Sequence, residues 1–314
     1  MTWNSQPIKR TNTNKAGASR IGARLLDAAG GLGLALHYLC STMGESALQI
    51  IFALTPLTVS WYINFAFEIL LKVLCELPEA RIEWPNAEAM QENSRLINAK
   101  HANAQYLDGA FGFMDGLNLP VTASSIDIEQ NANYNGWLHS HVVSNVIVFS
   151  PDGTIMSVVI NAPGSWHDSN VARPIYLFLR DDTPSGFFLL ANSAFPKLGT
   201  GKAQKIKVPL KSGAWIQGTD EEPVEWGMRA LQGCFSRLYM PMDTHNIEGR
   251  SWLLQICMRL HNVRTRMVEI NQIRSVYMHV WGSTKDMTND ELFARAFWSD
   301  RILKYYLDRG LQPT

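Results

Sequence analysis

The stretch Phe111-Gly112-Phe113-Met114-Asp115-Gly116-Leu117-Asn118-Leu119-Pro120-Val121 decides how the chain is read. Its Phe, Leu and Val content is that of a strand, yet one carboxylate stands in the middle. Burying an ionised carboxylate is costly unless a cation or hydrogen-bond donors answer it. Asp115 is therefore the first candidate ligand of the chain. The competing reading, that Asp115-Gly116 is a turn, would break a run that is strand-like on both sides.

Working outward, Val142 to Phe149 and Thr154 to Ile160 are further strands, joined by the turn signal Ser150-Pro151-Asp152-Gly153. A helix from about Asp168 to Leu179 follows, then a buried strand from Phe187 to Leu190 and an irregular Gly/Lys stretch. Helices from Val224 to Leu238 and from Arg250 to Glu269 come last. Three strands, a helix, a fourth strand and later helices is the order of an RNase H-like α/β core, a mixed sheet flanked by helices. We assign residues 111–280 to it.

Residues 1–27 lack apolar periodicity and read as a disordered basic arm. Over 28–77 the pattern is helical. Gly44-Glu45-Ser46 opens a short helix through Phe52, Thr55-Pro56 breaks it, and Val59, Ile63, Phe67, Leu70, Leu71 and Leu74 line one face of a longer helix. Such a pair is helix-turn-helix-like. A plain helical hairpin packed on the next domain is the alternative, because only Ser60, Trp61 and Asn64 are offered as base readers. Residues 78–110 form a charged helical connector and 281–314 a C-terminal helical tail.

The chain has 314 residues, 46% of them hydrophobic, and 28 Lys and Arg balance 28 Asp and Glu. Any attraction to a polyanion must then be local. It is concentrated in Lys9, Arg10, Lys15, Arg20 and Arg24, which precede the first acid, Asp27. These are candidate contacts to DNA phosphates; the same composition also suits a mitochondrial presequence. Cysteines 40, 75, 234 and 257 form no CxxC pair and have no His at zinc-ligand spacing, as expected of reduced thiols in an intracellular protein. Pro56, Asn64, Glu68 and Lys72 interrupt the apolar stretch from Ala47 to Leu74, which argues against a membrane span.

In an RNase H-like core, phosphodiester cleavage uses two divalent ions held by carboxylates from the first strand, the end of the fourth and a later helix. Asp115 fills the first place and Glu225, which opens the helix after Pro223, fills the third. A Glu there would also complement the helix dipole. Asn192 stands at the second place. Asp168 is the nearest acid that could replace it, although its position at a helix start predicts an N-cap. His167, beside Trp166, could orient a water or a phosphate, or be structural.

FGFMDG (111–116), NANYNGWLHSH (131–141), SNVIVFSPDGTI (144–155), NAPGSWHDS (161–169), ANSAFP (191–196), VEWGMRALQGCFSRL (224–238) and LHNVRTR (260–266) occur in the order found in Harbinger-type DDE endonuclease domains, which the chain resembles from about Leu32 to Tyr277. The resemblance implies that Asp115, Asn192 and Glu225 occupy the catalytic and metal-binding positions, with Mg²⁺ or Mn²⁺ as cofactor. It also implies DNA as partner, a nuclear location, a possible homodimer and a possible protein partner supplying DNA recognition. The family has Asp where this chain has Asn192. An amide oxygen can still ligate a hard cation but brings no charge, so a weakened metal site and impaired cleavage are expected. Two alternatives stay open: a working nuclease using Asn192 or Asp168, and a non-catalytic DNA- or protein-binding module.

Overall fold

The computed structural model describes Trp3 and residues 24–100, 107–196, 204–208, 223–268 and 271–277. The expected C-terminal tail, and Lys9, Arg10, Lys15 and Arg20 of the expected arm, lie outside the described residues.

At the centre is a mixed sheet. β1 (Ala110–Pro120) pairs antiparallel with β3 (Ser140–Phe149), and β3 pairs antiparallel with both β2 (Tyr134–Asn135) and β4 (Ile155–Pro163). On its other side β1 runs parallel to β5 (Phe188–Ala191), which runs parallel to β6 (Ile206–Lys207). Helices cover both faces. This is the RNase H-like α/β arrangement.

Because side chains alternate across a strand, β1 serves two cores. Phe113, Leu117 and Leu119 join the larger cluster, packed with α3 (Pro56–Glu76), α8 (Pro223–Cys234) and α9 (Ile247–Val268). Met114 joins the other, under α6 (Asp168–Val171) and α7 (Arg173–Asp181), as does Phe111, which sits where the strand register shifts between Ala110 and Gly112 and so breaks the alternation. The single expected helix over 168–179 is thus two, meeting at Ala172, where Arg173-Pro174 starts α7. Pro at a first helical turn is well tolerated, since its missing N–H has no partner there in any case.

α9 ties the sheet to the connector through polar side chains. Asn262, fully buried, accepts from the Ile155 N–H (2.7 Å) and donates to the carbonyls of Ile155 (2.9 Å) and Arg81 (2.7 Å). His261 bonds the Gly153 carbonyl at 3.1 Å. The LHNVRTR segment is therefore a brace that satisfies otherwise orphaned backbone groups at the start of β4.

The N-terminal helices are α1 (Ala28–Cys40), α2 (Glu45–Phe52) and α3, followed by α4 (Ala87–Lys100). By length and apolar composition α3 could cross a membrane. Here Val59, Tyr62, Ile63, Phe65, Ala66, Phe67 and Leu74 are buried as it packs on α1, α2 and α9. Asn64, one of the expected base readers, is exposed and bonds back to the Ser60 carbonyl at 3.0 Å. This placement has the features of a helical hairpin seated on the sheet domain.

Two described residues of the expected disordered arm are held in the fold. Trp3 is buried between Tyr62 and Phe65, with ring centroids 6.1 and 5.0 Å away. Arg24 donates to the Trp3 carbonyl and lies 5.0 Å from the Phe65 ring centroid, burial holding its guanidinium below the usual arginine range. Asp27 N-caps α1. Aromatic packing across α3 supplies the order that composition alone did not suggest.

Candidate functional site

Asp115 lies mid-strand in β1, opposite Ile147 of β3. Its face of the sheet follows from the alternation: Phe113 and Leu117, two residues either side, enter the larger core under α8 and α9. The parallel register places Met114 beside Ala191, so Asn192 leaves the end of β5 next to Asp115. Asn192 Nδ2 donates to Asp115 Oδ1 at 2.5 Å. Asn192 Oδ1 accepts from the Ala194 N–H at 2.9 Å, and Asp115 Oδ1 also accepts from the Gly116 N–H at 2.7 Å. The orientation of the amide is fixed by these contacts. A flipped amide would set an oxygen against the carboxylate and an NH₂ group against an N–H.

Glu225 is the third residue of α8. The helix sits on the same face of the sheet, with Gly227 so close to Phe149 that an added Cβ would be 2.8 Å from the ring. Phe149 pairs with Phe113, two residues from Asp115. The Glu225 carboxylate is half-exposed and paired with Arg229 at 3.0 Å. Leu231 and Phe235 are buried, whereas Trp226 is only partly so.

Asp168 is elsewhere. A Cβ on Gly116 would lie 2.5 Å from Asp168 Oδ2, so Asp168 faces the side of β1 opposite to Asp115. Nor does it cap its helix: His167 is the N-cap, its Nδ1 accepting from the Ser169 N–H, and Asp168 is the first helical residue. The expected cap is thus corrected by one position, a consequence of the extended backbone at His167. Burial pushes the Asp168 carboxyl above the usual range, with the neighbouring His167 opposing. The two carboxylates thus stand on opposite sides of β1.

The donor set around Asp115 is ill suited to a divalent metal. Asn192 turns its nitrogen, not its oxygen, toward Asp115, and that oxygen is taken by the Ala194 N–H. Among the described residues no group of three or more His, Cys, Asp or Glu side chains could hold a metal ion. A hard cation needs converging oxygens, so the arrangement does not fit one. An amide that closes on a carboxylate supplies by hydrogen bonding the compensation that a cation would otherwise give.

Sequence reasoning missed a second concavity, of about 360 Å³, on the Asp168 side, lined by Trp137, Trp166 and Asn118 among others. Its signal was present in GWLHSH and GSWHDS, two Trp residues in loops.

Residues 114–262 match the family model described as DDE superfamily endonuclease. Comparison with curated proteins gave no match, and neither did comparison with solved structures. The family that matches is one of transposase-derived nucleases acting on DNA, which generally use divalent metals.

Proposed function

We propose, from the premise that residues 114–262 match a DDE superfamily endonuclease, that this protein is a Harbinger-class, transposase-derived DNA-engaging domain whose cleavage chemistry is impaired at Asn192. The observation that carries this reading is the 2.5 Å hydrogen bond from Asn192 to Asp115. Two carboxylates in those places would repel each other and call for cations; an amide and a carboxylate attract and need none. A nuclear location, Mg²⁺ or Mn²⁺ as the ancestral cofactor and assembly as a homodimer belong to the same reading.

The DNA- or protein-binding module without chemistry is favoured over the working nuclease by the position of Asp168 on the opposite face of β1. Among the described residues no group of three acids or other ligating side chains forms around Asp115. The test is nicking of supercoiled plasmid in Mn²⁺ by wild type, Asn192→Asp and Asn192→Asp with Asp115→Ala. Wild type is expected to leave the plasmid intact. Asn192→Asp should raise nicking at least about tenfold, roughly 1.4 kcal/mol of barrier, and the double variant should abolish it. Equal activity of wild type and Asn192→Asp would overturn the reading.

A further inference from the structure

The concavity on the Asp168 side of β1 is built rather than incidental. Trp137 sits at the tip of the four-residue turn 136–139 that joins β2 to β3, and Trp166 in the loop between β4 and α6. Both indoles are exposed, Trp137 at 91% and Trp166 at 51%. One residue fixes both loops. Asn135 Oδ1 accepts the N–H groups of Trp137 and Leu138, each at 3.0 Å, while its Nδ2 donates to the Gly164 carbonyl at 2.8 Å. The Ser165 N–H adds a bond to the Ala132 carbonyl at 3.0 Å. Two large aromatic surfaces are thus presented by tethered backbone and stand open among the described residues.

The floor is polar. Asn118 receives a hydrogen bond from Ser144 Oγ on its Oδ1 at 2.8 Å, which leaves its NH₂ as the outward end. Asp168 lies against Gly116, two residues earlier on the same face, so the two groups are spaced by roughly 7 Å along the strand. The Asp168 carboxylate is half-buried and accepts no hydrogen bond from the described residues. No Lys or Arg lines the concavity among the described residues, so phosphate is a poor occupant. What the floor offers is two acceptor oxygens side by side and, one strand repeat away, an amide donor.

We propose that this cleft binds an unpaired guanine base, stacked against Trp137 and Trp166. The carboxylate of Asp168 accepts from the adjacent N1–H and N2 amino donors of the base, and the Asn118 amide donates to its O6. Guanine alone among the DNA bases has two neighbouring donors on its pairing edge with an acceptor beside them, and each base has a π-face for stacking. The volume, about 360 Å³, is that of a small-molecule site and leaves room for a base with part of its sugar. Ala194 also lines the cleft, and its N–H bonds Asn192. The proposal rests on the reading above for DNA as the polymer, but not on cleavage.

The experiment uses the full-length protein in EDTA and fluorescently labelled dT7, together with the same heptamer carrying a central dG, dA or dC, read by anisotropy. The dG heptamer is expected to bind about tenfold more tightly than dT7, the discrimination of one good bidentate contact. Trp137→Ala should weaken all four by about fivefold or more through lost stacking. Asp168→Asn, which keeps the side-chain volume, should erase the preference for dG over dT7. A dG heptamer no tighter than dT7, or a preference that survives Asp168→Asn, overturns the proposal. Heptamer binding indifferent to Trp137→Ala also overturns it and marks the exposed indoles as a protein-docking patch. Plasmid nicking by Asn192→Asp is read separately, so failure of the cleft and failure of the nuclease reading are told apart.

Discussion

Asn192 and Asp115 meet across the parallel strands β5 and β1, amide nitrogen to carboxylate oxygen at 2.5 Å. The pair is held together by this hydrogen bond, and the protein's response to metal should show it. In EDTA, Asn192→Asp should lower the melting temperature, because it removes a hydrogen bond to a charged group worth about 1.5–3 kcal/mol and adds like-charge repulsion. Millimolar Mn²⁺ should recover most of that loss in the variant by binding the folded state and leave wild type unmoved. Equal Mn²⁺ shifts in the two proteins would count against the geometry.

Gly227 is the close approach of α8 to the sheet. Alanine gains about 1 kcal/mol of helix propensity, but its Cβ would lie 2.8 Å from the Phe149 ring. Overpacking of this kind costs about 1–3 kcal/mol, so Gly227→Ala should melt lower than wild type, and in the Asn192→Asp background it should reduce nicking by displacing Glu225. A higher melting temperature would show that α8 can move away at no cost.

His261 makes stability depend on pH. Full burial pushes its imidazole down to about 4, below the ordinary value of 6.5, and Nε2 carries the proton given to the Gly153 carbonyl. Between those values the unfolded chain binds the extra proton and the folded chain does not. Stability is then full above pH 6.5 and falls as pH drops from 6.5 to 4, by about 3 kcal/mol in all. Urea midpoints measured across that window should fall in wild type and fall less in His261→Gln.

The four basic residues Lys9, Arg10, Lys15 and Arg20 are proposed as phosphate contacts. Arg24 is excluded, since its guanidinium is engaged by Trp3 and Phe65. Replacing the four with Gln should reduce the slope of log affinity for duplex DNA against log salt by about 3.6, near 0.9 per contact. An unchanged slope would remove the arm from the interface. Deleting residues 1–26 would be a poorer experiment, because it takes away the Trp3 anchor as well.

The sheet could be read from the sequence because its strands are apolar and bounded by strong turn signals, and Asp115 stood out as a charge with nothing local to answer it. The pairing of Asn192 with Asp115 could be placed but not oriented, since which end of an amide faces a carboxylate depends on the Ala194 N–H. Asp168 was legible as a helix start to within one residue, but its face was not. Its neighbours in sequence favour a helix start, while the face it occupies is set by Gly116, 52 positions earlier by subtraction of the two residue numbers. β6 escaped notice because two residues, Ile206 and Lys207, carry no period. The anchoring of Trp3 escaped because its partners, Tyr62 and Phe65, belong to α3.

Asp115 and Gly116 are consecutive residues whose Cα–Cβ directions serve opposite faces of one strand. A point substitution in β1 disturbs one face at a time. Loss or gain of a single codon within 111–117 would exchange the occupants of both, swinging a carboxylate toward Asp168 and a glycine toward Asn192. The gene segment encoding this strand is therefore held to its length more strictly than to its letters. Related copies should differ there by replacement and almost never by insertion or deletion.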